Sequence, residues 1–193
     1  MNKQDSSGRE KHQHRGKFTE GLLNRGAILN ALNIKPGQTV MDAGCGNGYM
    51  SKLFSDKVSE SGKVIALDPD QYSIELLGKE TAGTNIQAIE GDITRTTRLE
   101  PSSIDLIYIS AVIHGFSKKQ MQDFFQEVKR LLKPGAILAI VEIEKKETPF
   151  GPPMELRYSP EELKAIVPLV SVDTIQAGEY FYMQVFQNQV SER

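Results

Sequence analysis

Cys45 is the only cysteine in 193 residues. That excludes an internal disulfide and a multi-cysteine metal site. No apolar run approaches the roughly 20 residues that span a bilayer. The N-terminus is polar and lacks the apolar core of a signal peptide, so a cytoplasmic location is the expectation. A charge excess is missing too. The formal net charge is -2, so no global basic field would hold nucleic acid. There is no internal repeat and no interdomain linker. What is present, 39% hydrophobic and 25% charged residues, is the balance of a soluble globular chain with one sizeable core.

The most informative stretch is Val40-Met41-Asp42-Ala43-Gly44-Cys45-Gly46-Asn47-Gly48-Tyr49. A short apolar strand ends in an acid, a glycine-rich turn follows, and a helical pattern begins. Such a turn lets a ligand lie against bare backbone. A tight turn with no ligand would show the same glycines, so spacing must decide. A dinucleotide fingerprint runs Gly-x-Gly-x-x-Gly. Here the glycines are 44, 46 and 48, and position 49 is tyrosine. A pyrophosphate has no use for a carboxylate beside it. S-adenosylmethionine carries a sulfonium and an ammonium and no phosphate, and Asp42 suits that charge.

Along the chain, Phe18 to Leu32 reads as a helix. Thr39 to Asp42 is a strand, Tyr49 to Val58 a helix, and Val64 to Leu67 a strand ending in Asp68. Pro69 and Asp70 open a helix through Lys79. Ile86 to Ile89 and Ile104 to Ile109 are strands. Lys118 to Leu132 is a helix by its apolar spacing, stopped by Lys133-Pro134-Gly135. Ile137 to Ile143 is a fifth strand. Ser159-Pro160-Glu161-Glu162 looks like a capped helix start. Val170 to Ile175 and Phe181 to Phe186 are a closing hairpin around Gly178. Strands alternating with helices imply an α/β fold, a parallel sheet covered on both faces, with one antiparallel strand from the hairpin.

Ligands in such sheets bind outside the carboxyl ends of the strands. Asp68 stands there, where an acid can accept hydrogen bonds from both ribose hydroxyls. It supports an adenosine ligand without choosing the cofactor. Asp92, in Glu90-Gly91-Asp92-Ile93, can accept from an adenine amino group, with Ile93 against the ring. A cap or turn acid is the plainer role for both. Asp105 starts its strand, at the wrong end for a site, and reads as structural.

Asp42, the glycine turn, Asp68, Asp92, Asp105-Leu106-Ile107 and Leu131-Leu132-Lys133-Pro134-Gly135 together resemble the core of class I S-adenosylmethionine-dependent methyltransferases. The match runs from about Leu22 to Phe186. The run from Lys145 to Pro153, with Arg157 and Ser159 to Glu162, is similar to small bacterial and archaeal methyltransferases related to the ubiquinone/menaquinone-biosynthesis type. The resemblance implies a Rossmann-like, doubly wound, seven-stranded sheet of order 3-2-1-4-5-7-6 with the last inserted strand antiparallel. It implies S-adenosylmethionine as cofactor and S-adenosylhomocysteine as product. Residues 18–193 would be the methyltransferase domain. Met1 to Lys17, with His12 and His14, would be a flexible tail or a lid. The implied cofactor contacts are Asp42, Gly44, Cys45, Gly46, Asn47, Gly48, Tyr49, Asp68, Pro69, Asp92, Ile93, Ser110 and Ala111. Cys45 would contribute backbone and not thiol.

Methyl transfer from a sulfonium is an in-line displacement that asks mainly for proximity, alignment and exclusion of water. A base is needed only if the acceptor must lose a proton. His114, just past the fourth strand, is the candidate, since a histidine's ordinary pKa near 6.5 suits that task. Packing or capping in the loop is the alternative. Glu142 and Glu144 face either the acceptor or solvent. Phe150, Arg157, Tyr180, Phe181 and Tyr182 are candidates for an acceptor wall, although aromatics in a closing hairpin are more often core. No Asn/Asp-Pro-Pro-Tyr/Phe follows the fourth strand, which departs from amino methyltransferases acting on adenine or glutamine. One cysteine excludes the multi-thiol arsenite type. With no large insertion, a small-molecule acceptor is expected, without nucleic acid, metal or membrane span. A non-catalytic cofactor-binding scaffold is the alternative, and a nicotinamide oxidoreductase a weaker one.

Overall fold

A computed structural model describes residues 19–189. The expectations for Met1 to Lys17 and for Phe18 lie outside the described residues. The order is α1 (Arg25–Leu32), β1 (Thr39–Ala43), α2 (Tyr49–Val58), β2 (Lys63–Asp68), α3 (Gln71–Glu80), β3 (Ile86–Glu90), β4 (Ile104–Ser110), α4 (Lys118–Leu131), β5 (Leu132–Ile143), α5 (Pro160–Ile166), β6 (Val170–Gln176) and β7 (Phe181–Gln187). Single 3-10 turns lie at Ile113–Gly115 and Met154–Leu156. The seven strands form one sheet of order β3-β2-β1-β4-β5-β7-β6. β1 to β5 are parallel, and β7 runs antiparallel to both β5 and β6.

Side-chain alternation divides the sheet into two faces. Val40, Val64, Leu106, Tyr108, Ala139 and Val141 pack with α1 and α2. Ala66 meets Ile74 and Leu77 of α3 on that same face. Met41, Ile65, Ile107, Ile109, Leu138 and Ile140 pack under α4 and α5. α4 buries Met121, Phe124, Phe125, Val128 and Leu131, each stabilising by about 1.5–3 kcal/mol. Its N-terminus is closed by a capping box between Ser117 and Gln120. α5 has the same device in Ser159 and Glu162, with proline in its first turn, as its sequence signature predicts.

Two boundaries differ from the sequence pattern. α1 starts at Arg25, because the Asn24 side chain caps it by accepting from Ala27 N–H and Gly21 stands at φ 83° before it. Leu22 and Leu23 lie outside the helix, and Leu23 bridges to Gly178 in the β6–β7 connection. β5 begins at Leu132, five residues before Ile137. Leu132 pairs with Ile104, then the register jumps so that Ile137 meets Leu106. Asn188 binds the displaced turn, its side chain donating to the carbonyls of Leu132 and Lys133. Asp105 is structural: it accepts from Thr39 N–H and from Lys133, joining the starts of β1, β4 and β5.

Between β1 and β4 the chain switches direction across the sheet, which opens a crevice above their carboxyl ends. Among the described residues no helix is long and apolar enough to cross a membrane.

Candidate functional site

The turn after β1 is tied by its N–H groups mainly to the end of β2. Gly44 and Cys45 N–H both donate to Leu67 O, and Gly48 N–H donates to Cys45 O. Gly46 N–H donates to Asp68 Oδ2 at 2.9 Å. These N–H groups therefore form no open nest for a phosphate. Gly44 and Gly48 stand at φ 73° and 71°. A Cβ on Gly44 would lie 2.7 Å from Val112 Cγ2, and one on Gly48 2.4 Å from Leu77. Protein side chains, rather than a ligand, fill the room these two glycines leave. The contact from Val112 also brings the loop after β4 against the loop after β1.

Asp42 is 3% exposed and accepts from Ser51 Oγ at 2.6 Å. Burial pushes its carboxyl up to about 7, against the lowering effect of the Ser51 hydrogen bonds, and Asp68 adds a smaller upward push. No salt bridge to Asp42 exists among the described residues. Tyr108 stands directly beside it in register on β4, with Phe54 edge-on to its ring. The Tyr108 hydroxyl and Ser110 Oγ are buried without a hydrogen-bond partner among the described residues. Ser110 is still near enough to offset part of the upward push that burial gives the phenol. Ser51 and Tyr108 are members of this site that sequence reading missed. Their link to Asp42 comes from helix packing and strand register, which no spacing rule reveals.

The other strand-end acids already accept bonds. Asp68 takes Gly46 N–H and Asp70 N–H. Its second lone pairs leave room for ribose hydroxyls. Asp92 takes Thr94 N–H and Oγ1 and sits 3.6 Å from Arg95, a turn role that stands beside the adenine contact expected of it. Ile93 is buried in the core under β4, and Pro69 is exposed. Asn47 accepts from Tyr49 N–H and donates to Glu20. The Tyr49 hydroxyl meets Arg25. Cys45 is buried, and desolvation holds its thiol protonated. Ala111 takes the left-handed backbone at φ 54°, and its N–H goes to Val141 O.

On the opposite face, Glu142 is 1% exposed. Its Oε1 accepts from Ile113 N–H at 3.1 Å, and its Oε2 lies 2.9 Å from His114 Nδ1. Glu142 therefore faces neither solvent nor an open acceptor site; it faces His114. Glu144 pairs with Lys146 and takes a hydrogen bond from Gln176. Arg157, a candidate for the acceptor wall, is 6% exposed. It donates to the carbonyls of Glu144, Lys146, Phe150 and Pro152 and to Thr148 Oγ1. It clips together the loop after β5. Gly151 makes room for that guanidinium. Phe181 and Tyr182 are core residues, with the Tyr182 hydroxyl on Tyr158 O. Phe150 lies half-exposed against Tyr180 and Phe181.

Comparison with known proteins agrees with this fold. A methyltransferase-domain family model matches residues 40–135. A demethylmenaquinone methyltransferase of Staphylococcus saprophyticus is 27% identical over 129 residues, 65% of this chain and 53% of that protein. An uncharacterized 37.1 kDa protein in a Streptomyces fradiae transposon is 33% identical over 121 residues, 61% of this chain and 34% of that one. This chain thus spans about a third to a half of the length of these curated relatives. The crystal structure of a SAM-dependent methyltransferase from Aquifex aeolicus superposes with a TM-score of 0.77 at 26% identity, covering 86% of this chain and 90% of that one. The chain belongs to the class I S-adenosylmethionine-dependent methyltransferases, with quinone-biosynthesis enzymes among its relatives.

Proposed function

We propose that this chain transfers a methyl group from S-adenosylmethionine to a small-molecule acceptor. One observation carries the reading. The N–H groups of Gly44, Cys45, Gly46 and Gly48 are already bonded to β2 or within the turn, while a buried carboxylate beside them has no cation among the described residues. A phosphate would find these four donors already engaged, and a ligand bearing an ammonium and a sulfonium would find the charge it needs. This also counts against a nicotinamide cofactor.

Bound S-adenosylmethionine would supply a methyl group already activated on sulfur. The chain's residues would do the rest. Asp68 would hold the ribose hydroxyls, and Asp92 with Ile93 the adenine. Asp42, with the Ser110 hydroxyl and the Ala111 carbonyl, would face the ammonium end. His114, across the crevice, is the proposed base. The Staphylococcus relative is named for a quinone precursor, so aromatic quinols belong in the acceptor panel. A cytoplasmic setting goes with this reading, since a lone buried thiol fits a reducing compartment.

Calorimetry tests the proposal. The protein binds S-adenosylmethionine, and Asp68→Ala weakens binding by roughly 1–3 kcal/mol through lost charge-assisted hydrogen bonds. Absence of binding would end the proposal. Unchanged affinity in the variant would remove Asp68 from the ribose. Binding with no transfer across an acceptor panel would leave a scaffold.

A further inference from the structure

Resting on that reading, we infer that Glu142 is the positioning residue that makes His114 a base, and that the acceptor is a phenol, enol or thiol that must lose a proton. The pair is defined by burial and geometry. Glu142 lies inside the protein at 1% side-chain exposure, and His114 at its edge at 23%. A carboxylate donates no hydrogen bond, and its Oε1 already accepts one from Ile113 N–H. Nδ1 is therefore the protonated nitrogen of the neutral ring, and Nε2 carries the free lone pair. Among the described residues no hydrogen bond involves Nε2. Ile113 and His114 are consecutive in one 3-10 turn, so a single carboxylate fixes both the turn and the ring.

A packing histidine does not need a carboxylate buried behind it. Taking a lone carboxylate into the interior is costly unless it is paired. The arrangement is one in which imidazolium, once formed, meets a charge waiting for it. Other charged groups near the pair are few. Tyr182 of β7 stands opposite Glu142 in register, and its hydroxyl is kept protonated by burial and by Glu142, Glu162 and Glu161. Glu162 is itself paired with Lys145.

The acceptor class follows from the base. A neutral amine attacks through its own lone pair and needs no proton removed first. An aliphatic alcohol is a far weaker acid than a phenol or thiol, so imidazole helps it only in concert with attack. Thiols and phenols ionise near 8.5 and 10, within reach of a histidine. In the step, the acceptor's X–H proton passes to Nε2. The electron pair of the ionised acceptor forms the new bond to the methyl carbon, on oxygen, sulfur or the conjugated carbon of an enol. The carbon–sulfur bond breaks and its pair stays on the donor's sulfur. The proton leaves from the exposed edge of His114.

Two measurements test this separately from donor binding. In ¹⁵N-histidine-labelled full-length protein, without ligand, NMR shows His114 with Nδ1–H and a bare Nε2 at alkaline pH, and Glu142→Gln disturbs that tautomer. Finding the Nε2–H tautomer in the unaltered protein overturns the inference, and this holds even if the variant does not fold. In turnover, Glu142→Gln lowers kcat by roughly 10²-fold or more, moves the acid limb of the pH profile to lower pH, and leaves the KM for S-adenosylmethionine unchanged. Glu142→Asp recovers part of the rate. An unchanged pH profile, or transfer confined to amines in a panel of phenols, enols, thiols and amines, also overturns it. Loss of donor binding in the unaltered protein would instead strike the methyltransferase reading.

Discussion

Asp42 and Glu142 are both buried carboxylates near the carboxyl ends of parallel strands, and they lie on opposite faces of the sheet. Asp42, on β1, has a serine hydroxyl and, among the described residues, no cation. Glu142, on β5, has a backbone N–H and an imidazole. The difference teaches what each half of the site is built to do. Glu142 is completed by its own protein and serves a neighbouring side chain. Asp42 is left incomplete, in an environment that resists its charge, and a cation from outside would relieve that strain. Arg157 is the reverse case, a buried cation without a carboxylate among the described residues. Its hydrogen bonds to four carbonyls and a threonine hydroxyl satisfy it locally, so it organises a loop and waits for nothing.

The sharpest way to break the contrast is Asp42→Asn. The carboxyl moves from 3.8 to about 7 in the folded protein. A raised pKa favours the folded state while the group is protonated. That advantage is full below about 4 and is lost as pH rises through 7. Three units correspond to about 4 kcal/mol. Urea unfolding at pH 4.5 and pH 8 therefore shows the variant gaining on the wild type by up to about 4 kcal/mol at the higher pH. Its affinity for S-adenosylmethionine falls at the same time. A stability difference independent of pH would mean that Asp42 is not strained.

Arg157→Leu comes next. It leaves buried carbonyls of the loop after β5 without donors, at a cost of roughly 2–4 kcal/mol. Thermal unfolding measures the loss, and limited proteolysis locates it between Glu144 and Arg157. Lysine does not substitute, because a point charge cannot reach acceptors spread round a planar fork. If Arg157→Leu unfolds like wild type, the guanidinium is not what holds the loop.

The donor half was more legible in the sequence than the acceptor half, and the reason is physical. Asp42, the glycines and Asp68 sit within one βαβ unit, so strand, turn and helix patterns place them together. The strand order followed from resemblance to a family. Glu142 and His114 were both visible as candidates, yet 28 residues and the β4–β5 register separate them, and apolar strands do not announce their register. Arg157 was misplaced for a similar reason. A cation in a Pro/Gly-rich loop reads as exposed until the carbonyls that bury it are located. The start of α1 was misjudged because Leu22 and Leu23 continue an apolar pattern while the backbone of Leu23 bridges to Gly178 instead.

The finest test acts on Asp42 through its neighbour. Ser51 is fully buried on α2, and its hydroxyl is the side-chain donor to the carboxylate. Alanine is a better helix former than serine, so Ser51→Ala does not harm α2 itself. It does remove a hydrogen bond to a charged group, worth about 1.5 kcal/mol, which is about one pH unit. The Asp42 titration moves upward by that amount. Because a cationic donor favours the ionised carboxyl, affinity rises with pH through the titration and levels off above it. The variant's affinity curve is then displaced to higher pH by about one unit, several-fold weaker near neutrality and equal to wild type at pH 9. Superimposable curves would mean that the donor's positive charge does not read the Asp42 carboxylate, and the contrast between the two buried acids would lose its functional meaning.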